Sequence, residues 1–144
     1  MTQKRIVFVG SGSFIAVNVI KELKNYNYKI IKLPRSLVDL EKKSSIKKID
    51  KLIKDNDRIF FAAGQVPVKN NKMFLKNINM IQNFSKAINN KKINHFFYLS
   101  SDAVYSDLMK PLTELSKKKP DNHHGLMHLL RENIIKKTFS KSKI

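Results

Sequence analysis

The spacing of apolar residues along this chain switches repeatedly between short unbroken runs and a three-and-four repeat. Arg5-Ile6-Val7-Phe8-Val9 is a β-rich run and predicts a buried strand. After Gly10-Ser11-Gly12-Ser13 the spacing lengthens. Phe14, Ile15, Val17, Val19, Ile20 and Leu23 give a helical face that stops at Asn25. Lys29 to Leu33 predicts a second strand, closed by Pro34. Leu37-Val38-Asp39-Leu40 predicts a very short third one. Ile46, Ile49, Leu52 and Ile53 return to helical spacing. Arg58 to Ala63 predicts a fourth strand ending in small residues. Met73 to Ile88 predicts a helix with Phe74, Ile78, Ile81, Phe84 and Ile88 along one stripe. Phe96 to Leu99 predicts a fifth strand, ending at Ser100-Ser101, and the aromatics Phe60, Phe61, Phe96 and Phe97 sit in runs that look like buried strands. A polar loop region from Asp102 to Asn122 leads to a last helix, His123 to Phe139, with Asp121 or Asn122 as its cap.

Strand and helix therefore alternate throughout. That order implies an α/β fold, a parallel sheet of about five strands with helices on both faces. Right-handed crossovers make it doubly wound, with ligands expected outside the carboxyl ends of the strands. No repeat or linker divides residues 1–144, so one domain is expected.

Composition changes this picture in two places. The net charge is +18, from 29 Lys and Arg against 11 Asp and Glu. Such a charge suits a basic nucleic-acid-binding protein. However, the lysines are scattered over the chain, in groups such as Lys42-Lys43 and Lys117-Lys118-Lys119 between the apolar segments. That distribution favours solvated faces and compositional bias over a nucleic-acid site. Cysteine is absent, so no disulfide or thiolate metal site exists and a cytoplasmic location is expected. The chain enters its first strand without a signal-like segment, and no apolar stretch approaches the ~20 residues that span a bilayer.

The candidate chemistry begins at the first turn. In a strand–turn–helix unit, Gly10 permits the tight bend and Gly12 lets main-chain N–H groups approach a pyrophosphate. The helix N-terminus adds partial positive charge. The turn departs from a full G-x-G-x-x-G because Ile occupies position 15.

Gly10-x-x-Ser13-Phe14-Ile15-Ala16 resembles the Gly-x-x-Gly-Phe-Ile-Gly turn of the NAD-dependent epimerase/dehydratase family, the extended short-chain dehydrogenases/reductases. Ser13 and Ala16 stand where that family has glycine. Asp39-Leu40 is similar to its adenine-contacting pair, and Phe61-Ala62-Ala63-Gly64 to the strand end that lies against the cofactor. Asn77, Asn83 and Ala87 match the following helix in type and spacing. Ser100-Ser101-Asp102-Ala103-Val104-Tyr105 resembles its Ser-Ser-x-x-Val-Tyr segment, and Pro111, Glu114 and Pro120 follow. The resemblance covers nearly the whole chain and implies an NAD(P)-binding Rossmann domain. Gly10, Gly12, Ser13, Phe14, Ile15, Arg35, Asp39, Leu40, Ala62, Ala63, Gly64, Asn77 and His128 would then face the dinucleotide.

One helix departs from the pattern. Where the family has Tyr-x-x-x-Lys, this chain has His124-Gly125-Leu126-Met127-His128. Residues four apart share a helix face, so both imidazoles are expected in the cleft. The resemblance assigns His124 to the acid/base position, His128 to the ribose-binding position and Ser101 to the substrate-orienting serine. An imidazole, with an ordinary pKa of ~6.5, could serve as acid/base without a lysine to tune it. It is also shorter than phenol or lysine. Three readings stay open: an altered active site, a nucleotide-binding protein without catalysis, and a metal site at His124, His128 and Glu132. The spacing is not that of H-E-x-x-H, and no metal is assigned. His123 and His95 read as ordinary surface or strand-start residues.

The second strand ends Lys32-Leu33-Pro34-Arg35, with no acid for a ribose 2′-hydroxyl. Arg35 could pair with a 2′-phosphate, which tilts the cofactor toward NADP over NAD. The family's members continue into a C-terminal substrate-binding region, and none is expected within these 144 residues. The implied function is a reductase or epimerase/dehydratase domain acting on a nucleotide-sugar-like substrate, with a sensor or regulatory dinucleotide-binding module as the alternative. Self-association is a possible consequence of unpaired sheet edges.

Overall fold

The computed structural model describes residues 3–106 and 111–139. Four strands, β1 (Lys4–Val9), β2 (Tyr28–Leu33), β3 (Arg58–Phe61) and β4 (His95–Tyr98), form one sheet in the order β2-β1-β3-β4. Every pairing is parallel; Val7 sits between Ile31 and Ile59, and Ile59 faces Phe96. The helices are α1 (Phe14–Leu23), α2 (Ser45–Leu52), α3 (Asn71–Ala87) and α4 (His123–Thr138).

Alternation along β1 sorts the core into two layers. Val7 and Val9 face α2, α3 and α4, where Ile49, Ile81, Phe84 and Ile135 close over them. Phe8 faces the other way, against Ala16 and Ile20 of α1. The first layer is the larger. The Phe61 and Phe84 rings meet at 5.2 Å, both fully buried, each worth about 1.5–3 kcal/mol in removed apolar surface. At the amino end of the sheet, Arg5 clamps the buried Asp57 with Nε–Oδ1 at 2.7 Å, far from the strand ends discussed below.

Two expectations are corrected. The sheet has four strands among the described residues and not five, because Leu37-Val38-Asp39-Leu40 is not a strand. The N–H groups of Leu37 and Val38 both donate to the Pro34 carbonyl at 3.0 Å, so the main chain satisfies itself in a turn. Val38 and Leu40 are buried all the same, which gives the segment the apolar signature of a strand without its ladder. The second correction concerns Phe97, which the run around it places in the interior. It is 52% exposed, because it points from β4 to the α1 side of the sheet beyond the reach of α1. Phe60 is half-buried beside it, whereas Phe61 and Phe96 are buried as expected.

Of the expected loop between Asp102 and Asn122, residues 107–110 lie outside the described residues, as does the chain from Ser140 onward. A single helical turn, Asp102–Val104, opens this loop. Asn122 caps α4, its side-chain oxygen accepting from the Gly125 N–H at 2.9 Å. Gly125 has a second task. A Cβ there would lie 1.9 Å from the Ala103 carbonyl oxygen, so only glycine lets α4 seat against the loop that follows β4.

Candidate functional site

The carboxyl ends of β1, β3 and β4 and the helices that follow them enclose two adjoining clefts. At the first turn, Gly10 has φ +77°, and a Cβ on it would stand 2.7 Å from the Ala63 main chain. This position therefore requires glycine both for its dihedral and for the approach of β3. Gly12 is different: nothing lies within 4 Å of where its Cβ would be, so the turn is open on the cleft side. Ser13 caps α1, its hydroxyl accepting from the Ala16 N–H at 3.2 Å. That bond satisfies within the chain one of the donors a helix N-terminus would otherwise offer to an anion.

The first cleft, about 240 Å³, runs from this turn to the loop after β2. Gly10, Gly12, Ser13, Arg35, Asp39, Leu40, Ala62, Ala63 and Gly64, all expected from the sequence, line it together. Two of its lining residues, Arg35 and Gln65, share a partner that sequence reasoning missed. Glu41 accepts from Arg35 and from the Gln65 side-chain amide, each at 2.8 Å, and pairs with Lys76 at 3.2 Å. Arg35 thus already has a carboxylate partner, although its side chain is 64% exposed.

Asn77 is not brought to either cleft. It is fully buried, and its side chain accepts from the Gln65 N–H at 3.0 Å and donates to the Gln65 and Met73 carbonyls at 2.9 Å. Its effect on the clefts is exerted through the loop after β3, which it pins.

The second cleft, about 540 Å³, shares Ser13, Ala62, Ala63 and Gly64 with the first. Phe14, Ile15, Ser101, His124 and His128 line it, so the sequence-predicted groups do converge here. Phe14 is 84% exposed at its mouth. Ser101 caps the turn after β4, its hydroxyl accepting from the Ala103 N–H at 3.2 Å and donating to Asp102 at 3.1 Å. The His124 and His128 rings meet edge to face with centroids 4.7 Å apart. The Val68 N–H points at Nδ1 of His124 from 3.5 Å, the outer limit of a hydrogen bond.

His128 is the more deeply set of the two. Its Nδ1 lies 2.7 Å from the Tyr98 hydroxyl. Burial, reinforced by His124 and by the cation of Arg131, lowers its pKa to about 4, so the ring is neutral at ordinary pH. Burial also pushes the Tyr98 phenol up to about 12, against the pull of Arg131. Arg131 is 1% exposed. It donates twice to the Asn77 carbonyl and once, at 2.8 Å, to that of Ala63, and it lies 5.6 Å from the centre of the Phe61 ring. No carboxylate pairs with it among the described residues. Burial lowers its pKa as well.

Glu132 turns elsewhere. It accepts from Ser100 at 2.6 Å and from Lys118, in a separate groove beside β4. Burial works to raise its carboxyl, but the hydrogen bonds from Lys118 and Ser100 outweigh it and hold the pKa below the usual range. The described residues contain no group of three metal-ligating side chains, so Glu132 does not join the two histidines. His123 is exposed and bonds Asn71 at 2.8 Å, and His95 stacks on Phe97.

Tyr98, Arg131 and Glu41 had no motif to announce them. Tyr98 is the last residue of an apolar strand, and Arg131 follows His128 by three positions, on the same face of α4.

A parallel, doubly wound sheet with a glycine turn after its first strand and paired clefts at its carboxyl edge is a Rossmann-type fold. The chain belongs to the NAD dependent epimerase/dehydratase family, whose model matches residues 6–143. No curated protein matches it by sequence. Among solved structures it resembles a UDP-N-acetylglucosamine 4-epimerase from Bacillus cereus, with a TM-score of 0.82 at 23% identity, covering 96% of this chain and 55% of that one. It also resembles a dTDP-4-dehydrorhamnose reductase from Bacillus anthracis in complex with NADP (TM-score 0.81, 19% identity, 99% and 52% covered). A third is a Thermus thermophilus UDP-glucose 4-epimerase in complex with NAD (TM-score 0.79, 15% identity, 94% and 52% covered). The chain spans about half the length of the structures it matches.

Proposed function

We propose that this chain binds NAD or NADP along the two clefts and forms the cofactor-holding part of an epimerase, dehydratase or reductase acting on a nucleotide sugar. The observation that carries this reading is the Gly10–Gly12 turn. Gly10 is held by a backbone that would clash with any Cβ, while Gly12 opens onto the cleft with nothing in front of it. A pyrophosphate fits such a turn, with the main chain of Gly12 and Ser13 against it. Arg35, Asp39 and Leu40 would hold the adenosine end. Phe14, Ile15, Ala62, Ala63, Gly64 and His128 would hold the nicotinamide end. When bound, the dinucleotide supplies hydride chemistry. Arg35 favours NADP, provided it exchanges Glu41 for the 2′-phosphate. The nucleotide-sugar assignment leans on the family and on the named activities of the relatives.

In this reading Ser101 orients a substrate oxygen and His124 moves a proton at its Nε2. The Val68 contact favours a second reading. It turns Nδ1 of His124 toward a main-chain donor, so in the neutral ring Nε2 carries the hydrogen and is a donor, not a base. A dinucleotide-binding module without turnover would have that property.

Thermal unfolding with NAD, NADH, NADP and NADPH tests the cofactor site. A ligand at a hundred times its dissociation constant adds about 2.7 kcal/mol and raises the midpoint by several degrees. A cooperative melt that none of the four shifts overturns the proposal. Loss of hydride transfer in His124→Ala and Ser101→Ala, with dinucleotide binding retained, supports the catalytic reading. Binding with no turnover in the unmodified protein supports the second.

A further inference from the structure

The hydrogen bond between Tyr98 and His128 has a direction, and its neighbours determine it. The phenol oxygen and Nδ1 are 2.7 Å apart, and the ring centroids 5.8 Å. In such a pair either atom could own the shared hydrogen. Arg131 acts on the same phenol as a nearby cation, but its hydrogen bonds run to the Asn77 and Ala63 carbonyls, so the one hydrogen-bond partner of the Tyr98 hydroxyl among the described residues is Nδ1 of His128. Were Nδ1 protonated, it would donate to the phenol oxygen and leave the Tyr98 O–H without an acceptor among the described residues, at the cost of an unmade hydrogen bond. His128 is held neutral by burial and by its neighbours His124 and Arg131, so one ring nitrogen alone carries a hydrogen.

We propose that Tyr98 is a positioning residue for His128: its hydroxyl, with no other acceptor among the described residues, donates to Nδ1 and fixes the ring as the Nε2–H tautomer. The second cleft therefore meets a donor of fixed direction at His128 and not a base. Any oxygen bound there is held as an acceptor, and proton transfer falls to other groups. The direction of the bond is a property of the free protein. Only the identity of the acceptor, an oxygen of the dinucleotide, rests on the proposed function.

Long-range proton–nitrogen correlation spectra of the nitrogen-15-labelled full chain, recorded near neutral pH, read the tautomer directly. The expected result for the unmodified protein is an unprotonated Nδ1 and a protonated Nε2 at His128. In Tyr98→Phe, which keeps the ring and removes the donor, the two tautomers should coexist. Affinity for NAD and NADP should fall several-fold, up to about tenfold, the worth of one hydrogen bond. A protonated Nδ1 in the unmodified protein overturns the proposal, and that spectrum decides it even if the variant does not fold. A tautomer unchanged in a folded Tyr98→Phe also overturns it. If the tautomer responds but neither dinucleotide binds, the positioning role stands and the cofactor reading fails. If the dinucleotides bind and the tautomer does not respond, the positioning role fails alone.

Discussion

The side chains that matter most at the cleft are those whose charge the fold suppresses or isolates. His128 is neutral because burial, His124 and Arg131 all oppose its cation and outweigh Glu132, which favours it, while the Tyr98 phenol facing Nδ1 is itself uncharged. Its pKa in the folded chain, about 4, lies below the unfolded value of 6.5. The unfolded state therefore binds the proton more readily. The contribution of this residue is complete above pH ~6.5 and is lost as pH falls toward ~4. At full protonation the loss is about 3 kcal/mol. Urea melts between pH 7 and 4 should show this slope, and His128→Gln should flatten it. A slope equally steep in the variant would place the titration elsewhere. These suppressed charges are also what the sequence conceals. The histidine pair stands out because it interrupts a recognisable helix pattern. Tyr98 and Arg131 do not stand out, since an aromatic residue in a strand and an arginine on a helix are ordinary until the fold removes water from both.

At the scale of elements, the order of strands and helices was legible wherever a run of apolar residues met a capping signal. Asn122 before α4 and Ser13 before α1 both cap as side-chain acceptors. Leu37 to Leu40 misled because burial of alternate residues is shared by strands and by turns that plug a core, and the Pro34 carbonyl bonds that separate the two are invisible in the sequence. Ser13 carries a further consequence. Its hydroxyl occupies the Ala16 N–H at the mouth of the phosphate turn. Ser13→Gly should cost only a few tenths of a kcal/mol, as glycine is itself an acceptable cap. It should also tighten NADP binding by releasing that N–H. Titration calorimetry on the two proteins compares the affinities; weaker binding in the variant would mean that the hydroxyl itself contacts the ligand.

For the whole molecule, the charge of +18 has a cost that its seven ion pairs among the described residues do not remove. Like charges spread over one small domain repel, and salt screens them with a Debye length of about 10 Å at 0.1 M. Raising ionic strength should therefore raise the unfolding midpoint, the reverse of what a fold resting on surface ion pairs would show. The same charge makes weak, salt-labile retention of nucleic acid expected of any such surface. Half-exposed Phe97 stands beside His95 at the sheet's edge, and one such ring is not a series of stacking platforms. Retention of RNA or DNA that survives high salt would be needed to make that face an interface.

The strand order β2-β1-β3-β4 also says something about time. As the chain leaves the ribosome, at about 5–20 residues per second, β1 is made first and waits for partners. β2 joins one of its edges, β3 the other, and β4 then joins the free edge of β3. Each newcomer finds an open edge, and no finished ladder must part to admit a later strand. These four strands can thus assemble in the order of synthesis, growing outward from β1, and α4 settles behind β4 last of the described elements.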